Sequence, residues 1–170
     1  MLTYLNELQL AIKSTNFGQL DELADRVKRC RAEGRKLFVC GNGGSYAVAE
    51  HWGVDLFKAA HMDVYTLGTN QALLTALAND LDYEVGLSTE LSMRAQPLDI
   101  LVCLSCSGTS RNITAALRES RKLSMHSYLI TGFKAPEYPQ THVIRVGTMD
   151  YGILEDVFSA IGHWLTRELT

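Results

Sequence analysis

The chain of 170 residues has three prolines and four cysteines, and neither residue is arranged as a framework. Four thiols in a chain of this length do not suggest a disulfide scaffold, and all four are expected to be reduced. Cys103-Leu104-Ser105-Cys106 spells a CxxC, but no second pair completes a zinc site and its first cysteine falls inside an apolar run. No stretch approaches the length of a membrane span, and the N-terminus lacks a basic segment followed by an apolar one, so the expected setting is the cytoplasm, without a membrane partner. Basic residues are also short: 16 Lys and Arg stand against 19 Asp and Glu, for a net charge of −3. That balance offers no overall attraction to nucleic acid. Neither glycine-rich loop continues as GxGxxG or ends in Gly-Lys-Ser/Thr, so no nucleotide is expected. No linker, low-complexity tract or charge block divides the chain, which predicts one domain over residues 1–170.

What is present is a repeated module. Leu2 to Ile12 and Leu20 to Arg31 carry apolar residues at helical spacing, and Gly34 stops the second segment. Lys36 to Cys40 is a short apolar run that breaks into Gly41-Asn42-Gly43-Gly44-Ser45, after which helical spacing resumes through Lys58. Asp63 to Leu67 reads as a strand, with helical stretches at Gln71 to Leu77 and Tyr83 to Arg94. Asp99 to Leu104 is an apolar run, leading through Ser105-Cys106-Ser107-Gly108-Thr109-Ser110 to a helix over Arg111 to Leu123. His126 to Thr131 and His142 to Val146 read as strands around a turn-rich patch with Pro136 and Pro139, and Tyr151 to Leu169 as a closing helix. Strands alternating with helices predict an α/β fold: a three-layer, doubly wound sandwich around a mostly parallel five-stranded sheet of flavodoxin-like type.

In such sheets ligands bind beyond the carboxyl ends of the strands, which directs attention to the two unusual loops. Gly41 to Ser45 offers backbone amides free of side-chain obstruction at a helix start, where dipole and unpaired N–H groups favour an anion. Ser105 to Ser110 adds hydroxyl donors at a second helix start and reads as a phosphate cradle. A helix cap alone would account for Ser107 or Thr109. Four hydroxyl residues in six positions exceed what one cap needs.

Gly-Asn-Gly-Gly-Ser after one strand and Ser-x-Ser-Gly-x-Ser after a later one together resemble the SIS family of phosphosugar isomerases and binders, over nearly the whole chain. Within that family the chain is similar to the phosphoheptose isomerases, which convert sedoheptulose 7-phosphate to D-glycero-D-manno-heptose 7-phosphate. The resemblance implies substrate contacts from Asn42, Gly43, Gly44, Ser45, Asn79, Asp80, Ser105, Cys106, Ser107 and Ser110. Cys106 stands where the family usually has threonine, and a thiol is the poorer donor. The resemblance also implies a homotetramer with interfacial sites, in which the N-terminal helices of residues 1–34 serve assembly.

An aldose-ketose isomerase needs a base to move a proton between adjacent carbons through an enediol, and a group that polarises or protonates the carbonyl oxygen. His51 and Asp55, four apart on one helix, share a face. Glu155 and His163 are eight apart on the closing helix, again on roughly one face. In the isomerases these positions, usually His and Glu on the first helix and Gln and His on the last, supply acid and base and in some members bind zinc, one ion per subunit. The resemblance therefore makes Asp55 or Glu155 the base, His163 the acid, and His51, Asp55, Glu155 and His163 the candidate metal ligands. Eight helical residues span ~12 Å, so one ion cannot readily take both Glu155 and His163 of one helix. Either the roles are split or two subunits contribute.

Gly152 stands where the isomerases often have aspartate, with Asp150 and Asp156 as neighbours that would have to compensate. His61, His126 and His142 show no partner pattern, and Trp52 and Trp164 read as core or interface side chains. The rival reading is a non-catalytic SIS protein, either resembling the initiator-associating protein that binds DnaA or acting as a sugar-phosphate sensor. Titratable groups at Asp55 and His163 favour the enzyme.

Overall fold

A computed structural model describes residues 1–170. Its elements run α1 (Leu2–Ser14), α2 (Phe17–Ala32), β1 (Leu37–Cys40), α3 (Gly44–Lys58), β2 (Val64–Thr66), α4 (Gln71–Asp80), α5 (Tyr83–Arg94), β3 (Ile100–Ser105), α6 (Arg111–Lys122), β4 (His126–Gly132), β5 (Thr141–Val146) and α7 (Tyr151–Leu169). The expected doubly wound sandwich is present, and its sheet is parallel throughout, in the order β2-β1-β3-β4-β5. None of the helices is long and apolar enough to cross a membrane.

The strands read as continuous apolar runs because both faces are covered, yet their side chains still alternate. Leu37 and Val39 enter one core with α1, α2, α3 and α7, while Phe38 and Cys40 enter a second with α5 and α6. In the first core Trp52 is almost wholly buried and its indole N–H donates to the Phe158 carbonyl of α7 at 2.9 Å. Gly162 permits that approach, since a Cβ there would overlap the indole. Trp52 is therefore core, whereas the half-buried Trp164 lines an apolar cavity of about 270 Å³ with residues of α1, α2 and α7. Several of the expected element limits move by one to three residues. Helix α2 begins at Phe17 because the Asn16 side chain caps it by accepting from the Gln19 N–H, α4 continues to Asp80, and β5 starts at Thr141.

The path of the chain creates the site. After β1 it passes through α3 to β2 at the sheet edge, then returns through α4 and α5 to β3 on the other side of β1. Helix α3 packs on one face and α6 on the other, so the loops after β1 and β3 part and leave a crevice. This is the switch point at which open parallel sheets receive ligands.

Candidate active site

Two helix starts meet in the crevice, and neither is capped by a side chain. Gly43 occupies the N-cap of α3 at φ 55°, and Ser110 that of α6, with no side-chain hydrogen bond to the helix from either. The first N–H groups of both helices are consequently available to a ligand. Ser105 and Ser107 are committed to the loop itself: their hydroxyls accept from the N–H groups of Gly108 and Thr109, both at 3.2 Å. Gly108 turns the loop at φ 70°, a conformation suited to glycine. The hydroxyl of Ser110 makes no such bond and lines a small pocket of about 80 Å³ together with Asn42, Ser45, Cys106, Ser107 and Glu155. Ser105, Ser107 and Ser110 thus all border the pocket, but the first two spend their hydroxyls on shaping the loop and Ser110 does not.

Glu155 reaches across from α7 to the start of α3. The Ser45 hydroxyl donates to its Oε1 at 3.1 Å, and the carboxylate rests directly against Gly44, where any Cβ would collide with it. Cys106 completes this group, its thiol 3.5 Å from Ser45 Oγ and 3.9 Å from Glu155 Oε1. Burial, with a further push from Glu155, raises the Cys106 thiol above its ordinary range. It therefore stays protonated at neutral pH and acts as a weak donor rather than a nucleophile.

Asn42 ties the two loops together. Its amide exchanges hydrogen bonds with that of Asn112 at the start of α6, at 2.9 and 2.7 Å, and its Oδ1 also accepts from the Tyr83 hydroxyl at 3.0 Å. Asn42 also borders an adjoining cavity of about 200 Å³ walled by Gly43, Tyr46, Gly68, Gln71 and Tyr83. The sequence reading missed Asn112, Tyr83 and Tyr151, the last on the pocket wall. For Asn112 the available signal was a polar amide in the first turn of a helix that already begins in a hydroxyl-rich loop. Asn79 and Asp80 lie exposed on the last turn of α4, bonded to each other at 2.9 Å, and line neither cavity.

The four residues considered as metal ligands separate into two groups. His51, Asp55 and His163 come together, with the two histidine Nε2 atoms 2.9 Å apart and Asp55 Oδ2 at 3.4 and 3.8 Å from them. Glu155 stands apart from this trio, in the Ser45 pocket, as the helical separation of ~12 Å from His163 requires. Two imidazoles and one carboxylate form a donor set suited to zinc. Ligand atoms around a tetrahedral zinc ion stand about 3.3 Å apart, close to the separations found here. The trio is open to solvent beside exposed Val54 and Phe57. Beside Gly152, Asp150 caps α7 through the Ile153 N–H, and Asp156 accepts from the Tyr4 hydroxyl at 2.6 Å.

Comparison with known proteins agrees with this architecture. The SIS domain family model matches residues 2–132. A phosphoheptose isomerase of Maridesulfovibrio salexigens is 33% identical over 165 residues, covering 91% of this chain and 80% of that protein. A probable phosphoheptose isomerase of Thermoplasma acidophilum is 32% identical over 134 residues, covering 76% of this chain and 74% of the relative. Among solved structures, phosphoheptose isomerase from Neisseria gonorrhoeae superposes with a TM-score of 0.91 at 22% identity, over 99% of this chain and 94% of that one. The enzyme from Francisella tularensis gives 0.87 at 21%, over 96% and 91% respectively. The chain belongs to the SIS domain family.

Proposed function

We propose that the protein is an aldose-ketose isomerase acting on a sugar phosphate, most suitably sedoheptulose 7-phosphate, which it converts to D-glycero-D-manno-heptose 7-phosphate in the cytoplasm. The observation that carries this reading is the pocket in which the open start of α6, with Ser110, faces the carboxylate of Glu155. An anion at α6 and a base across from it are what a phosphosugar enediol mechanism requires. The names of the relatives at 32% and 33% identity support the same substrate class.

In this mechanism the amides and the Ser110 hydroxyl at the start of α6 hold the phosphate. Glu155 occupies the start of α3, so a second anion is repelled from that side and the sugar enters phosphate-first toward α6. The Glu155 carboxylate takes the proton from C1 of the ketose, and the C–H electrons form the enediol while O2 gains a proton. Return of a proton to C2, with loss of one from O1, gives the aldose. The Nε2 atoms of His51 and His163 stand 2.9 Å apart, within hydrogen-bond distance, and that pair, oriented by Asp55, supplies the acid. In place of that acid, zinc held by His51, Asp55 and His163 would supply Lewis acidity at the substrate oxygens.

Glu155 and His163 lie two turns apart on α7, and His51 and Asp55 of α3 join His163 rather than Glu155, so a complete site needs the trio from a neighbouring copy. A homotetramer with interfacial sites meets that need. The exposed Val54 and Phe57 beside the trio, and Leu5, Leu10 and Phe17 on the N-terminal helices, offer apolar surface for such assembly.

The deciding experiment is NMR of sedoheptulose 7-phosphate in D2O with purified protein. Deuterium entering C1 and C2 with formation of the aldose is expected, and His163→Ala should lose both. Ligand line broadening without exchange would overturn the enzyme in favour of a sugar-phosphate sensor. That second reading draws on the thiol at Cys106 and on the engagement of Asp150 and Asp156 elsewhere.

A further inference from the structure

The amino ends of β4 and β5, opposite the crevice, hold a polar groove of about 520 Å³ walled by Arg121, Ser124, His126, Gln140, Thr141 and His142. A second cavity of about 120 Å³ adjoins it, sharing Arg121 and Thr141 and adding Arg118. Neither has an aspartate or glutamate in its wall, although acidic residues outnumber basic ones in the chain, 19 to 16. Arg118 and Arg121, one turn apart on α6, have no carboxylate partner. The same is true of Arg26 and Arg29, which α2 brings up behind β4. The backbone around the groove is also constrained: Ser124 and Gln140 adopt φ of 57° and 56°, a region that side chains other than glycine occupy rarely.

His142 stacks on Tyr128 with ring centroids 4.8 Å apart, which fixes one wall. Partial burial, then Arg26, His142 and Arg29, hold the His126 imidazole below its ordinary range, with Glu33 opposing them. An anion placed beside a histidine that burial and nearby arginines hold neutral favours return of the proton. The guanidinium groups of Arg118 and Arg121, two imidazoles and hydroxyls from Ser124 and Thr141 form a surface suited to phosphate oxygens, with the positive charge of Arg26 and Arg29 close to His126. Arg121, on the boundary of the two cavities, would touch a group in each.

We propose that this groove binds a small ligand carrying two adjacent phosphate groups, one held between Arg121 and the His126–His142 wall and the other between Arg118 and Arg121. The site is separate from the sugar-phosphate pocket, at the opposite end of the sheet. A volume of this size in an acidic chain suits a compact ligand rather than a nucleic acid strand.

The test is a pyrophosphate titration of the full chain, followed through the imidazole NMR signals of its five histidines. His126 and His142 should shift and saturate, and inorganic phosphate should bind about tenfold more weakly for want of the second group. The double variant Arg118→Gln/Arg121→Gln, at two exposed positions, should weaken pyrophosphate at least about tenfold by the same signals. His51 and His163, which line neither cavity, serve in the same spectra as controls for binding elsewhere. Absence of a saturating shift at His126 and His142, equal binding of phosphate and pyrophosphate, or full binding by the double variant would each overturn the proposal.

Discussion

Apart from α1, which begins at Met1 without a side-chain cap, the helix starts of this molecule fall into two kinds, and the contrast identifies where a ligand belongs. Helices α2, α4, α5 and α7 begin at Asn16, Asn70, Asp82 and Asp150, and each of those side chains accepts from an N–H of its own first turn. Helices α3 and α6 begin in the crevice without that bond. A capped start has satisfied its own polar groups, whereas an open one stores unpaired donors and positive dipole for something else. The two open starts differ in turn. Glu155 covers α3, while α6 remains open beside Ser110, which separates a carboxylate from an open helix start across one pocket.

Removing the carboxylate from α3 should have the largest effect. Glu155→Gln keeps the shape and loses the base, so kcat/KM is expected to fall about 10²–10⁴-fold, with deuterium exchange at C1 lost in parallel. Retention of exchange would move the base to Asp55. Gly44→Ala tests the same contact from the other side. Its Cβ displaces the carboxylate, and turnover should drop about 10²-fold with an unchanged circular dichroism spectrum.

The caps supply a matched pair. Ser110→Ala removes a hydroxyl that caps nothing, so KM should rise about tenfold while the melting temperature holds. Asp150→Ala should do the reverse, costing about 1 kcal/mol of stability and leaving KM nearly unchanged. If both variants behave alike, the division into capped and open starts fails. Zinc titration by calorimetry separates the second cluster: His51→Gln should abolish binding, and Glu155→Gln should retain it.

The smallest effect concerns pH. Because the folded chain holds His126 below its ordinary value of 6.5, the folded state binds fewer protons than the unfolded one in that region. Stability is therefore full above that value and declines as the pH falls through it. His126→Gln should flatten this decline in melting temperature between neutral and mildly acidic pH. An unaltered slope would place the responsible group elsewhere.

Much of this was legible in the sequence because strands buried on both faces must be apolar throughout, and because glycine and hydroxyl runs are unusual at helix starts. The loops at Gly41 to Ser45 and Ser105 to Ser110 were found in that way. Asn112 and Tyr83 were not, since their importance lies in meeting Asn42 across the crevice, and no local pattern encodes that meeting. Asn79 and Asp80, implied by resemblance, lie on an exposed helix end outside both cavities. The basic groove at β4 and β5 was equally hidden, because its arginines come from α6 and its histidines from two strands.

The sequence by itself determined the alternation of strands and helices, the position of both ligand loops and the pairing of His51 with Asp55 on one helical face. These depend on periods of two and 3.6 residues, which short-range sterics impose. Only the tertiary structure decided that Glu155 serves Ser45 while His163 joins His51, although both side chains come from α7. The reason is geometric: a straight helix carries residues eight apart to points ~12 Å from each other, and what each one meets there depends on how α3 crosses it.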